Sequence, residues 1–512
     1  MKFTFKIISV ILALLVLATS LLACGDQSKD DTTLPPDTTE PPVTTEPLNE
    51  RELVEDSVPD DLNFSGIENN VITIFSRDNL EILKYEMCSE ELMNDTLYDA
   101  IHYRNIDVEN RLGVKIRQIT QNAAWGANAN AWFEVLSTAV NTNTDDFDAA
   151  AIYAGVGAPY ALQNLYSDLL DYSVQRGEGY IDLEKPWWNQ SLVENLNLYD
   201  NLFFLSGDLC VSGVFGIQIV RFNKDLFNER FPEEKADVLY DLVNSGKWTI
   251  EKMTDYVSEV WDDVNSNGKI DDGDTIGFKW WQVTDVAQCD AWGYALGVPM
   301  MERDQYGEYH IASFGAQMIP AYELFVKLYK SEGSMISQKN KTEDLTSMAA
   351  GNTMFMVGAI GHGEEYRDTT VTCGILPMPK YNEAQEDYAS GMWTFSTFMT
   401  IPSNVTADRA KVVSAVFELM AAESYKQVTP VYYSKVIKGH YSSDEADAKM
   451  YDIAIRTCQY TFEAVFNSSL PTSLTRIWRS LDRDVQQVID ANMSSAWPAA
   501  LEQLLASFEA MS

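Results

Sequence analysis

Apolar and polar positions recur along this chain in two periods, and the switches between the periods lay out its elements. Residues 71–75, Val-Ile-Thr-Ile-Phe, are a short apolar, β-branched run that predicts a strand. Through 94–112 apolar positions return at three- and four-residue steps and stop at Gly113, which predicts a helix closed by glycine. Residues 114–119 predict a second strand, 132–140 a second helix and 147–153 a third strand. Such a β-α-β-α-β opening suits a mostly parallel sheet, whose ligands bind beyond the carboxyl ends of its strands. The loop after Tyr153, Ala154-Gly155-Val156-Gly157-Ala158-Pro159-Tyr160, sits at such an end. Its glycines complete no GxGxxG, so it reads as close backbone approach to a small ligand or as a turn.

The stretch 244–278 carries the most specific pattern. Thr249 predicts a helix cap, and Ile250, Met253, Tyr256, Val257, Val260 and Trp261 then repeat at helical steps. In the twelve-residue loop that follows, Asp263, Asn265, Asn267, Asp271 and Asp274 stand at positions 1, 3, 5, 9 and 12, with Gly268 at position 6. A hard cation needs oxygens converging on one point, and the glycine allows the sharp turn that brings them together, so the loop predicts a Ca2+ site. Its last position is Asp instead of Glu, and the strand-like Thr275-Ile276-Gly277-Phe278 follows where an EF-hand would begin its second helix. The ion expected here is structural, not catalytic.

Ser245-Gly246-Lys247-Trp248-Thr249 with this helix and loop resembles the extracellular solute-binding proteins of ABC importers, specifically the family that captures carbohydrates outside Gram-positive cells. Three further stretches fit in the same order: Arg221-Phe222-Asn223-Lys224-Asp225-Leu226-Phe227, Gly374-Ile375-Leu376-Pro377-Met378-Pro379-Lys380-Tyr381, and Glu423-Ser424-Tyr425 leading to Tyr432-Tyr433. The resemblance implies a two-lobed α/β fold of the periplasmic-binding-protein type (type II), with discontinuous lobes joined by a hinge. It implies a first lobe of 66–210 plus 357–401 and a second of 211–356 plus 402–512. Asp208 would stand at the hinge and face the cleft, 353–358 would be the return crossing, and the helix 409–422 would lie in the second lobe. The partners implied are ABC permease subunits, and a monomer is implied.

The start of the chain adds its location. Lys2 and Lys6 precede an apolar run at 7–18 that is short for a membrane span and has the proportions of a signal peptide, 1–23. Leu21-Leu22-Ala23-Cys24 closes it as a lipobox, which makes Cys24 the lipidated mature N-terminus. Residues 24–65 are rich in Thr, Pro and acids and almost free of large apolar residues, as expected of an extended tether. The protein is thus expected on the outer face of the membrane of a Gram-positive-type bacterium, held through its lipid anchor.

A formal charge of −39, or −41 without Lys2 and Lys6, repels nucleic acid and anionic head groups and tilts the ligand towards a neutral or cationic molecule. Cys88, Cys210, Cys289, Cys373 and Cys458 are scattered, which signals neither a zinc site nor a disulfide framework. Twelve tryptophans and 25 tyrosines are heavy usage for so acidic a chain, and sugars stack their C–H faces on such rings while acids and amides bond their hydroxyls. The candidate ligand contacts are Trp125, Asp208, Trp292, Trp393, Trp478 and Arg479. With no HExxH, GxSxG or P-loop, no catalytic set is expected. A peptide-binding receptor shares every motif except the aromatic bias, and a secreted glycoside hydrolase needs only two separated carboxylates.

Overall fold

The first sheet grows from the central strand β1 (Val71–Arg77), which pairs in parallel with β2 (Lys115–Gln121) on one side and β3 (Ala149–Tyr153) on the other. β1 is buried along nearly its whole length, its polar Thr73, Ser76 and Arg77 included. The computed structural model describes residues 50–511 apart from 178, 282–288, 315–316, 338–346, 367–368, 393 and 434–444. The signal peptide, the lipobox with Cys24, most of the tether, and Trp393 therefore lie outside the described residues.

Local chemistry sets the first crossover. Asp95 caps the helix Thr96–Leu112 by accepting from the amides of Leu97 and Tyr98 at 3.0 and 3.3 Å, and Gly113 ends it at φ 68°. Leu97, Ile101, Val108 and Leu112 then face the sheet. The next helix, Ala127–Thr142, buries Trp132, whose ring stacks on Phe75 at 4.2 Å and whose indole N–H donates to the Ser76 carbonyl.

Ala154–Gly157, read as a ligand loop or a turn, is a single helical turn whose glycines admit protein, not ligand. A Cβ on Gly155 would lie 2.7 Å from Thr394 Oγ1, and one on Gly157 would lie 2.6 Å from the Phe133 ring.

A fourth strand, Thr397–Thr400, closes the first sheet antiparallel to β3 with Thr397 opposite Tyr153. The second sheet is centred on β4 (Gln218–Asn223), flanked antiparallel by Thr353–Ala359 and Cys373–Leu376; Thr275–Trp281 continues it in parallel beside Thr353–Ala359.

Two lobe assignments are corrected by these pairings. Residues 357–359 and the strand Cys373–Leu376, expected in the first lobe, belong to the second, since Val357 pairs with Val220 and Ile375 with Arg221. Conversely, the helix Ala407–Glu423, expected in the second lobe, lies on the first. It follows Thr397–Thr400 after a short turn and folds back on the same layer, where Arg409 pairs with Asp148 at 2.6 Å and Glu418 accepts from the Asp182 amide at 3.1 Å and the Trp188 indole at 3.0 Å. The chain is back in the second lobe with the helix Glu445–Arg456, whose Asp447 takes a 3.0 Å bond from Lys224.

The cap at Thr249 is present, its hydroxyl accepting from the Lys252 amide, but the helix Ile250–Ser258 ends before the apolar pattern does. Val260 remains buried, while Trp261 joins a two-residue strand and is half exposed. The five described cysteines are buried thiols. Among the described residues no helix is long and apolar enough to cross a membrane.

Candidate functional site at the interlobe crossing

Three strand ends and one crossing segment define the region between the lobes. β1 ends at Arg77, whose guanidinium is 1% exposed and donates to the Phe395 carbonyl at 3.0 Å and to Thr397 Oγ1 at 2.8 Å. It lies 5.1 Å from the Tyr153 ring and 5.0 Å from the Phe395 ring, and those two rings meet edge to face at 5.4 Å. Burial lowers its pKa to about 10, with Glu86 opposing. Beside this floor, in the loop after β2, stands Trp125, its ring 6.2 Å from Tyr153 and the residue 72% exposed. An indole left in solvent at the carboxyl edge of a parallel sheet is a ready surface for a ligand face.

Residues 206–217 cross from the first lobe to the second and carry the short helix Val211–Phe215. One face of the helix looks towards the strand ends. The Ser212 amide donates to Glu86 Oε1 at 2.6 Å, and Phe215 packs against Gly361 and His362, just beyond the strand Thr353–Ala359. Thr397 Oγ1 accepts from Arg77 and Ser212 and donates to Glu86 Oε2 at 2.6 Å, which ties β1, the crossing and the fourth strand into one buried chain of hydrogen bonds. Glu86 is 1% exposed, and burial raises its pKa against the bonds from Ser212 and Thr397 and the charge of Arg77.

Gly213, Val214 and Ile217 turn the other way and line a separate cavity of about 470 Å3. Asp208 is on this side. Its carboxylate accepts from the Thr429 hydroxyl and lies 3.9 Å from Arg51. Burial pushes its pKa up to about 6, with Thr429 and Arg51 pulling the other way. Gly207 precedes it because the crossing passes over Trp187, where a Cβ would come within 1.9 Å of the carbonyl oxygen.

The expected ligand residues thus separate. Trp125 is at the strand ends. Asp208 is at the crossing as expected, but it faces the cavity behind the helix Val211–Phe215 and not the Tyr153 floor. Trp292 and Trp478 are core residues, 0% and 2% exposed. The Trp292 indole donates to Tyr329 at 3.1 Å, and the Trp478 ring packs edge to face on Phe325 at 5.4 Å. Arg479 is engaged by Asp290, its Nε donating at 3.0 Å. Sequence reasoning missed Arg77, Glu86, Tyr153 and Phe395 as neighbours; the one available signal was a charge and a tyrosine at the carboxyl ends of otherwise apolar strands.

In the loop 263–274 the donor oxygens are present but spread over local partners. Asp263 accepts from the amides of Asn267 and Gly268 at 2.9 and 2.6 Å, Asp271 from the side chains of Asn265 and Asn267, and Asp274 from the Val264 amide at 3.0 Å. Gly268 takes the left-handed turn at φ 71°, and the strand Thr275–Trp281 follows as expected. Three carboxylates and two amides are a donor set that suits a hard cation. Among the described residues no group of three or more His, Cys, Asp or Glu is arranged to hold a metal.

No protein-family model matches the chain, and no curated protein does. Solved structures do. A cyclo/maltodextrin-binding protein complexed with maltotetraose is similar over 88% of this chain and 98% of its own, at 8% identity and a TM-score of 0.52. An extracellular solute-binding protein from Staphylococcus aureus in complex with maltose is similar over 86% and 99%, at 11% identity and 0.52. An ABC-transporter-associated binding protein from B. animalis subsp. lactis in complex with β-1,6-galactobiose is similar over 85% and 98%, at 12% identity and 0.51. The chain has the two-lobed α/β fold of the periplasmic-binding-protein type, as these solute-binding proteins do.

Proposed function

We propose that the protein is the lipid-anchored surface receptor of an ABC importer, capturing a neutral mono- or oligosaccharide and handing it to permease subunits. The observation that carries this reading is the exposed Trp125 ring beside the Tyr153 and Phe395 floor at the carboxyl ends of β1 to β3. Sugar C–H faces stack on such rings, and solved structures of like fold hold maltotetraose, maltose and galactobiose. A charge of −39 further disfavours an anionic ligand. The role is binding without turnover, and Cys24 supplies the anchor.

A thermal-shift screen against carbohydrates, with amino acids and short peptides beside them, tests the reading; stabilisation by peptides alone would overturn the sugar assignment. For the sugar that binds, Trp125→Ala should weaken affinity about tenfold, the loss of about 1.4 kcal/mol expected of one stacking ring. Melting should stay unchanged because the residue is 72% exposed. Equal affinity in the variant would remove Trp125 from the site, and hydrolysis of oligosaccharides at enzymatic rates would point to a glycoside hydrolase.

In the same reading Ca2+ is a structural cofactor held by Asp263, Asn265, Asn267, Asp271 and Asp274, joining the helix Ile250–Ser258 to the strand Thr275–Trp281. An ion that binds only the folded state stabilises it by mass action. Chelation should therefore lower the melting temperature, and Asp263→Ala should abolish that sensitivity. A melting curve indifferent to excess chelator counts against the ion.

A further inference from the structure

We propose that the cavity behind the helix Val211–Phe215 is a second solute site, apart from the Trp125 floor, and that it takes one uncharged polyhydroxylated ring, a monosaccharide or the end unit of a longer sugar. At about 470 Å3 it falls within the roughly 300–1,000 Å3 of small-molecule sites. Both lobes build it. Asn189 comes from the first, where the neighbouring Trp188 indole donates to Glu418. Gln459 comes from the second: it lies in the two-residue strand that pairs with Ser390–Gly391, just after the helix Glu445–Arg456 that Asp447 fastens to Lys224. Asp208 enters from the crossing between them.

Each of these three side chains has a hydrogen bond left to make. Asp208 Oδ1 accepts from Thr429 and faces Arg51 at 3.9 Å, while no other described residue donates to its Oδ2. Asn189 Oδ1 caps the helix Gln190–Leu196 by accepting from the Leu192 amide at 2.9 Å, which identifies Nδ2 as the end of that side chain unbonded to any described residue. Gln459 Oε1 accepts from Ser191 at 3.4 Å, and its Nε2 likewise has no partner among the described residues. One acceptor and two amide donors, set around the half-buried rings of Tyr425 and Tyr433, match a ring with hydroxyls at its edge and apolar C–H faces. Charge points the same way. Two guanidiniums, Arg51 and Arg456, and two carboxylates, Asp208 and Glu194, line the cavity, so it is balanced in a chain of −39. Arg51 and Asp208 already offset each other, and Arg456 and Glu194 are exposed to solvent, where salt screens them. Hydrogen bonds and not net charge therefore select the occupant.

The test uses the full chain carrying Trp125→Ala, which removes the platform of the first site, and titrates D-glucose, D-galactose and maltose calorimetrically, with glycine betaine and L-glutamine as zwitterionic comparators. At least one sugar should still bind. Asp208→Asn and Gln459→Leu, each added to that chain, should weaken this binding about tenfold, the effect of one hydrogen bond lost in a buried site. Gln459→Leu keeps much of the side chain's bulk, so it holds the test open should Asp208→Asn fold poorly. Binding of none of the sugars, or binding that neither substitution weakens, means a cavity filled by water alone and overturns the proposal; binding of a zwitterion only overturns the ligand class. The two sites fail separately. Sugar binding abolished by Trp125→Ala sinks the second site and leaves the receptor reading standing, whereas sugar binding untouched by Trp125→Ala and weakened by Asp208→Asn and Gln459→Leu sinks only the Trp125 assignment.

Discussion

The protein should melt at a higher temperature at pH 5 than at pH 8. Burial pushes Asp208 up to about 6, and Glu418 and Glu463 up to about 7, from ordinary values near 4. Each is therefore protonated in the folded chain at a pH where the unfolded chain has already released the proton. Between about pH 4.5 and 7 the native state binds more protons, so stability is fully present at the acid end and is lost as pH rises through the folded values. A tenfold gain in proton affinity on folding corresponds to about 1.4 kcal/mol, so each glutamate contributes on the order of 3 kcal/mol.

Glu418 gives the sharper check. Its Oε2 accepts from the Asp182 amide and the Trp188 indole, and the residue is 0% exposed, so the ionised form has no access to water. Glu418→Gln keeps an acceptor for both donors and removes the charge. It should raise the melting temperature at pH 8 and flatten the pH dependence. The overall acidity acts in the same direction, since a charge of −39 repels itself less as carboxylates protonate. A melting temperature that falls from pH 8 to pH 5 in the native chain would refute the assignment.

The largest single-residue loss is expected at Glu86. Its two oxygens receive the Ser212 amide and the Thr397 hydroxyl, and its charge is the foremost one offsetting the buried cation of Arg77. Glu86→Ala strips one buried charge of its counterpart and orphans two donors, which costs on the order of 3–5 kcal/mol. Glu86→Gln keeps one acceptor and should cost less. In a double-mutant cycle Glu86 and Arg77 should couple by more than about 0.5 kcal/mol, the level at which distant sites are additive. Denaturant midpoints within error of the native chain for Glu86→Ala would exclude the network as a support of the crossing.

How much of this was legible in the residues depends on how far apart the deciding partners lie. The cap at Asp95, the left-handed stop at Gly113, the cap at Thr249 and the strand after Asp274 each involve neighbours a few positions away, and such local signals can be read along the chain. The parallel opening was readable too, because each strand and helix carries its own period. The apolar run at 353–358, expected as the return crossing, is the strand Thr353–Ala359, and because its partners Val220 and Phe278 are distant in sequence its place in the second sheet could not be read along the chain. The same holds for the helix Ala407–Glu423, buried on most of its surface and thus without an amphipathic stripe to say which layer it faces.

The tryptophans draw the line most clearly. An indole satisfies a core and a ligand platform by the same chemistry, a large apolar face with one donor at its edge, so sequence determined that many rings would be available and not where they would point. Tertiary packing placed Trp292 and Trp478 against Phe325 and left Trp125 in solvent beside Tyr153. It likewise placed Asp208, which precedes the helix Val211–Phe215, in the cavity behind that helix, where its carboxylate accepts from Thr429. Composition, charge, element order and local caps were determined by the chain alone. The pairing of strands into lobes was decided by contacts between distant residues such as Phe355 and Phe222, and the gathering of Arg77, Glu86 and Thr397 at the crossing by contacts between residues more than three hundred positions apart.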